Sequence, residues 1–210
     1  MICIVDYKAG NITSVRRALN HLGVDSEITP DPEVLLRAEK VIFPGVGQAG
    51  SAMDALRSRG LDQALRKAFA RGTPILGICL GAQIVMTHSE ENDTACLDLI
   101  PGECRRFEPA DPALKIPHMG WDGIRVLLRH PFLKDLRPDQ EFYFVHSYYP
   151  QPADGGCVAA ECDYGGPFPA VIGRANLVAA QFHPEKSGPA GLNLLKNFLA
   201  WDGSEGFGTC

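Results

Sequence analysis

Gly77-Ile78-Cys79-Leu80-Gly81-Ala82-Gln83 is the stretch that decides how this chain is read. Before it, Thr73-Pro74-Ile75-Leu76 is a short apolar run bounded by Gly72, which predicts a buried strand. After it, Ala82–Met86 can wind as a helix. A Gly-x-Cys-x-Gly between strand and helix has the spacing of a nucleophile elbow, and the glycines are expected to permit its sharp turn. At a helix N-terminus the partial positive charge lowers a thiol's pKa and favours the reactive thiolate. The competing reading is a structural cysteine, since free Cys is among the most buried residue types.

Working outward, the first half alternates strands and helices. Ile2–Asp6 is a continuous apolar run, as in a strand covered on both faces. Asn11 is placed to cap a helix carrying Val15, Ala18, Leu19 and Leu22 on one stripe, which Gly23 stops. Asp25–Ile28 predicts a second strand, Asp31-Pro32 a brief helix, and Val41-Ile42-Phe43 a third strand that runs into Pro44-Gly45-Val46-Gly47. Helical patterns cover Met53–Leu56 and Leu61–Phe69. This rhythm predicts an α/β fold with a mostly parallel twisted sheet flanked by helices. Ligands of such sheets sit beyond the carboxyl ends of the strands, where both the Gly45–Gly47 loop and Cys79 fall.

Beyond Glu91 the rhythm changes. Segments near Cys104–Phe107, Ile124–Leu127, Glu141–Val145, Val158–Cys162, Ala170–Ile172 and Val178–Phe182 predict antiparallel additions and one or two further central strands. Leu192–Trp201 predicts a closing helix. Residues 1–201 are expected to form one domain and the Gly-rich 202–210 a disordered tail.

Composition sets bounds. The 210 residues suit one well-buried domain, and the net charge of −5 gives no pull toward nucleic acid or anionic membrane. Seven scattered cysteines without a C-x-x-C pair suggest neither a disulfide framework nor a zinc site, so a reducing cytoplasm is the expected compartment. Cys3, Cys96, Cys104, Cys157 and Cys162 are expected to serve packing, and His21, His88 and His130 receive no role. No apolar run approaches the ~20 residues of a membrane span, and the N-terminal run is too short for a signal peptide.

A thiol nucleophile needs a base. In Gln181-Phe182-His183-Pro184-Glu185, Pro184 holds the preceding residue extended, so His183 and Glu185 are expected on one face, the carboxylate orienting the imidazole. Cys79, His183 and Glu185 then make a complete nucleophile–base–orienter set. Leu80 N–H is one expected oxyanion donor, and the Val46-Gly47 loop, free to rotate a peptide, is the expected second. A phosphate-binding reading of that loop lacks the Lys-Ser/Thr ending of a P-loop.

Gly77–Gln83 together with Gln181–Ser187 resembles the class I, triad-type glutamine amidotransferases, and the resemblance covers Ile2 to about Trp201. Asp6-Tyr7-x-x-Gly10-Asn11, His118-Met119-Gly120-Trp121 and Tyr143–Tyr148 make it similar to the branch that serves imidazole glycerol phosphate synthases in histidine biosynthesis. Lys8 departs from that pattern, where many relatives carry glycine. The resemblance implies a flavodoxin-like amidotransferase fold, glutamine hydrolysis without metal or organic cofactor, and delivery of ammonia to a (β/α)8-barrel cyclase partner in a heterodimer. It also implies that Gln83, Glu91, Ser147 and Tyr148 contact glutamine, and that Asn11, Trp121, Tyr143 and Lys186 face the partner.

Overall fold

The computed structural model describes residues 1–8 and 10–207. In chain order the first half runs β1 (Ile2–Val5), α1 (Ile12–His21), β2 (Ser26–Thr29), α2 (Pro32–Leu36), β3 (Lys40–Gly45), α3 (Ala49–Ser58), α4 (Leu61–Ala70), β4 (Ile75–Cys79) and α5 (Leu80–Ile84). The second half adds β5 (His88–Ser89), β6 (Thr94–Ala95), β7 (Gly102–Arg106), β8 (His118–Gly123), β9 (Arg125–Val126), β10 (Glu141–His146) and β11 (Tyr148–Pro152). It closes with β12 (Val158–Asp163), β13 (Pro167–Arg174), β14 (Leu177–Ala180) and α6 (Gly188–Ala200).

The main sheet has the order β2-β1-β3-β4-β14-β13-β12-β9. Its pairs are parallel from β2 to β14 and antiparallel from there to β9. The second half therefore contributes one central parallel strand, β14, beside β4. β13, β12 and β9 extend the main sheet antiparallel, while the other additions leave it: β10 pairs with β8, and β11, β7, β5 and β6 form a third sheet. Four of these strands, the two-residue β5 and β6 together with β8 and β11, were not foreseen. β11 contains Pro150 and Pro152, which mask a strand signal, and β8 contains two glycines.

Strand alternation builds the two halves of the core. Cys3, Val5, Val41, Phe43, Ile75, Leu177 and Ala179 point to the layer holding Met53, Leu56, Leu61 and Leu65 of α3 and α4. Ile4, Ile42, Leu76, Ile78, Val178 and Ala180 point to the opposite layer, with Val15 and Leu19 of α1 and Leu194, Leu195 and Phe198 of α6. A strand covered on both faces reads as a continuous apolar run for this reason. No helix among the described residues is long and apolar enough to cross a membrane.

The tail departs from expectation over 202–207. Trp201 Nε1 donates to the Glu205 carbonyl at 2.7 Å, and Phe207 is buried with its ring centroid 4.7 Å from that of His130. Phe207 sits over Gly173, where any β-carbon would meet its ring. Glycine-rich composition concealed one aromatic anchor; residues 208–210 lie outside the described residues. Phe207→Ala is expected to cost about 3 kcal/mol, as large-to-small changes at buried aromatics do. A lower urea midpoint with an unchanged slope would be the sign; an unchanged midpoint would mean the ring adds nothing.

Candidate active site

The elbow is built by strain on the cysteine and close packing around it. Cys79 adopts φ 54° and ψ −107°, a positive φ that an L-residue keeps only when its surroundings enforce it. The neighbouring glycines do not take positive φ. Their contribution is space: a β-carbon on Gly81 would lie 2.0 Å from the Phe43 carbonyl oxygen, and one on Gly77 would lie 2.9 Å from Ala179 Cβ. α5 thus rests directly on the backbone of β3, and the strained turn falls on Cys79 itself. Cys79 lines a cavity of about 370 Å³ with Val46, Leu80, Gln83, Glu91 and Tyr148. A larger hollow, about 770 Å³ between Arg129 and Trp201, contains none of the residues of this constellation.

The candidate base, His183, lies on the chain after β14. His183 is extended as expected, but Pro184–Lys186 is a 3₁₀ turn, not a continuation of the strand. The turn still brings Glu185 Oε1 to 2.7 Å from His183 Nδ1. A carboxylate can only accept, so Nδ1 carries the proton and Nε2 is left as the basic nitrogen. Nε2 is buried without a hydrogen bond, and its electrostatic partner is Cys79. Burial pushes the ring's pKa down, but interactions with Cys79 and then Glu185 outweigh it and leave His183 above the ordinary histidine value. The backbone fixes the ring's position. His183 N–H donates to the Tyr143 carbonyl, and the Ser187 hydroxyl donates to the His183 carbonyl while accepting from Tyr143 N–H.

Asn11 is not the side-chain cap expected of it. It precedes α1 with φ 78° and makes no capping bond. Its amide instead donates to Glu185 Oε1 and lies 3.2 Å from His183 Nδ1. Sequence spacing could not show this, because the partners are more than 170 residues away. Lys8, nearby, has φ 68°, the left-handed region that glycine enters at least cost; its N–H donates to Asp6 Oδ1.

Gln83 is buried, with its Nε2 donating to the Tyr148 carbonyl at 2.8 Å and lying 3.2 Å from Gln181 Oε1. Gln181, which sequence reading gave no role of its own, is fully buried and turns its Nε2 toward Cys79 Sγ at 3.9 Å. Glu91 lines the cavity, and its Oε2 accepts from Ala49 N–H at the start of α3, which anchors the carboxylate at a helix N-terminus. Ser147 lines the same cavity, as does His146. His146 Nδ1 donates to the Tyr148 carbonyl, and its Nε2 is 3.3 Å from His118 Nδ1. Neither histidine was assigned a role beforehand; only the tertiary pairing of β10 with β8 joins them.

Trp121, Tyr143 and Lys186 cluster on the rim. Trp121 is half exposed and edge-on to Tyr143 at 5.9 Å, and the Lys186 ammonium lies 5.6 Å from the Tyr143 ring centre. Met119 is also exposed beside them on β8, so the face next to the thiol is apolar and aromatic. No cluster of metal-ligating side chains occurs among the described residues.

The family model for "Glutamine amidotransferase class-I" matches residues 3–201. The chain belongs to the class-I glutamine amidotransferase family. Among its relatives, the imidazole glycerol phosphate synthase subunit HisH of Nitratidesulfovibrio vulgaris strain DP4 is 56% identical over 205 residues, covering 94% of this chain and 95% of that one. The subunit of the same name from Chromobacterium violaceum is 44% identical over 210 residues, covering 97% and 99%. Among solved structures, a glutamine amidotransferase crystal structure superposes with TM-score 0.76 at 18% identity over 97% of this chain and 100% of that one. PurLQS from Thermotoga maritima superposes with TM-score 0.71 at 20% identity over 95% and 97%. These structural likenesses establish the amidotransferase fold, and the chain is an enzyme of glutamine amide hydrolysis within that family.

Two predictions follow from this geometry. Asn11→Ala is expected to lower glutamate release about tenfold, the worth of one hydrogen bond to a charged group, by the same factor with and without a partner subunit. Loss confined to the partner-stimulated rate would assign Asn11 to the interface instead. The second concerns pH. Burial pushes His130 down to about 4 and His146 down to about 3, so both are neutral in the fold and bind a proton more readily when unfolded. Their contribution is complete above the unfolded value of about 6.5 and is lost as pH falls toward those folded values, at up to about 1.4 kcal/mol per pH unit each. The raised His183 acts oppositely, with its contribution lost as pH rises above about 6.5. Urea midpoints measured from about pH 5 to 9 should peak near neutrality; a midpoint still rising at the acid end would contradict the buried neutral histidines.

Proposed function

We infer that this chain is the glutaminase subunit of an imidazole glycerol phosphate synthase. The observation that carries the reading is near end-to-end identity of 52–56% to subunits of that name, in a chain whose cavity-lining thiol interacts with an imidazole that is paired with a carboxylate. Cys79 is the nucleophile, His183 the base and Glu185 its orienter. The Cys79 proton passes to His183 Nε2 as sulfur attacks the glutamine carboxamide carbon. Collapse of the tetrahedral adduct breaks the C–N bond, and His183 returns the proton to the departing nitrogen, releasing ammonia. A water deprotonated by His183 then cleaves the glutamyl thioester, giving glutamate and the free thiol.

The oxyanion donors in this reading are Leu80 N–H, at the start of α5, and Val46 N–H, from a loop whose Gly47 has φ +106°. Rotation of the Gly45–Val46–Gly47 segment brings the second donor into line. Gln83, Glu91, Ser147 and Tyr148 line the glutamine pocket, with the Glu91 carboxylate facing the substrate ammonium. Residues 1–201 act as one amidotransferase domain, in the cytoplasm and without a cofactor.

The ammonia goes to a cyclase subunit with a (β/α)8 barrel, which forms imidazole glycerol phosphate and aminoimidazole carboxamide ribotide. Bulk water at neutral pH would convert most of the ammonia to unreactive ammonium, which favours a sheltered handover. The half-exposed Trp121, with Tyr143 and Lys186 beside the triad, suits a partner surface, since Trp and Tyr are favoured interface anchors.

Glutamate release from glutamine tests the reading, with the chain alone and then with a cyclase and its nucleotide ligand. Weak release alone, a large rise with liganded cyclase and silence in Cys79→Ala are expected. Strong release indifferent to the cyclase would point to a different synthase or a free-standing hydrolase.

A further inference from the structure

Tyr7 presents a buried hydroxyl that the mechanism above does not use. The residue is 2% exposed, and its hydroxyl has no hydrogen-bond partner. Leaving such a group unsatisfied is destabilising, whereas a phenylalanine would fill the same space without that cost. The ring is held from below by Phe43, at 5.4 Å between centroids, so the hydroxyl does not swing freely. It lies against Gly45, the first residue of the oxyanion loop. A β-carbon built on Gly45 would be 2.0 Å from the Tyr7 oxygen, so the hydroxyl occupies the side of the Gly45 α-carbon where a side chain would stand. It is also near the nucleophile: burial, then the charge on Cys79, pushes the phenol's pKa up, so it stays a protonated donor at every working pH.

A donor at that position can reach the Gly45 carbonyl in only some orientations of the Gly45–Val46 peptide. Turning the peptide to aim Val46 N–H at the thiol turns the Gly45 carbonyl to the opposite side. That carbonyl then needs a donor in a region closed to water. We propose that Tyr7 is a positioning residue for the oxyanion loop, its hydroxyl receiving the Gly45 carbonyl when the loop adopts its catalytic orientation. This rests on the reading of the loop as the second oxyanion donor. In the resting chain the hydroxyl is unpaired; in the turned loop its hydrogen bond is made, so its energy favours the catalytic state. The packing around the loop agrees. Gly10 stands where a β-carbon would press on Val46 Cγ2 at 2.9 Å, so the segment that carries Tyr7 also borders the other half of the turning peptide.

Tyr7→Phe separates this role from a structural one, assayed with the chain and its cyclase partner. Three readouts are needed: glutamate release, urea unfolding, and alkylation of Cys79 by iodoacetamide followed by mass spectrometry. Alkylation develops no oxyanion, so it reports the thiol without the loop. Expected are kcat about tenfold lower with KM within about twofold, an unfolding midpoint unchanged or higher, and an unchanged alkylation rate. An unchanged kcat overturns the proposal. A fall in alkylation parallel to kcat also overturns it, because the hydroxyl would then act on the thiol. A lowered midpoint overturns it as well, by showing that the hydroxyl is already bonded in the resting fold. Absence of glutamate release from the unsubstituted complex would overturn both this proposal and the function on which it rests, and is told apart from the other outcomes by that control.

Discussion

The site depends on the contact between α5 and the backbone of β3. With only hydrogen at Gly81, the helix settles on the Phe43 carbonyl, and the chain leaving β4 must turn within one residue. Cys79 bears that turn in a conformation that costs an L-residue about 1–3 kcal/mol, and the packed sheet and helices on either side hold it there. In return the sulfur stands clear of the sheet, at the carboxyl edge where the parallel strands end. Every other functional group is placed relative to that point. β3 delivers the Gly45–Gly47 loop to it, β14 delivers His183, and β1 leads to Tyr7 and Asn11.

Around the strained turn, polar groups are sorted by what they can accept or donate. Glu185 accepts from both His183 and Asn11, which leaves the imidazole one free nitrogen and gives it a direction. Gln181 bridges Gln83 and the thiol, and the Tyr148 carbonyl collects Gln83 and His146. Buried hydrogen bonds of this kind hold their members in fixed orientations. Among the buried atoms left unpaired, which also include Glu185 Oε2, Ser26 Oγ and His130 Nε2, His183 Nε2 and the Tyr7 hydroxyl are the two to which the proposals above give work during the reaction.

Local signals read well where one segment held all the information. The parallel half followed from apolar runs and caps, and the strand-to-helix elbow at Cys79 from glycine spacing. His183 and Glu185, two residues apart, were legible as a pair even though the intervening turn is 3₁₀ and not extended. What failed were inferences that a local signal contradicts. Asn11 has the chemistry of a cap but a better acceptor across the fold, and β11 carries prolines that argue against a strand. The stretch from Asp202 to Phe207 has a disordered composition but one aromatic side chain that finds a slot over Gly173.

The sequence by itself determined the alternation of strands and helices, the cysteine at the elbow, and the imidazole–carboxylate pair, because periodicity and spacing within a dozen residues specify them. Only the tertiary structure decided that Asn11 joins Glu185, that Gln181 faces the sulfur, and that the Tyr7 hydroxyl sits unpaired against Gly45. Those contacts join residues distant in the chain, 174 positions for Asn11 and Glu185 and 102 for Gln181 and Cys79. They exist because β1, β3, β4 and β14 become neighbours in the sheet, and strand order is set by the packing of the whole core, which no local window contains.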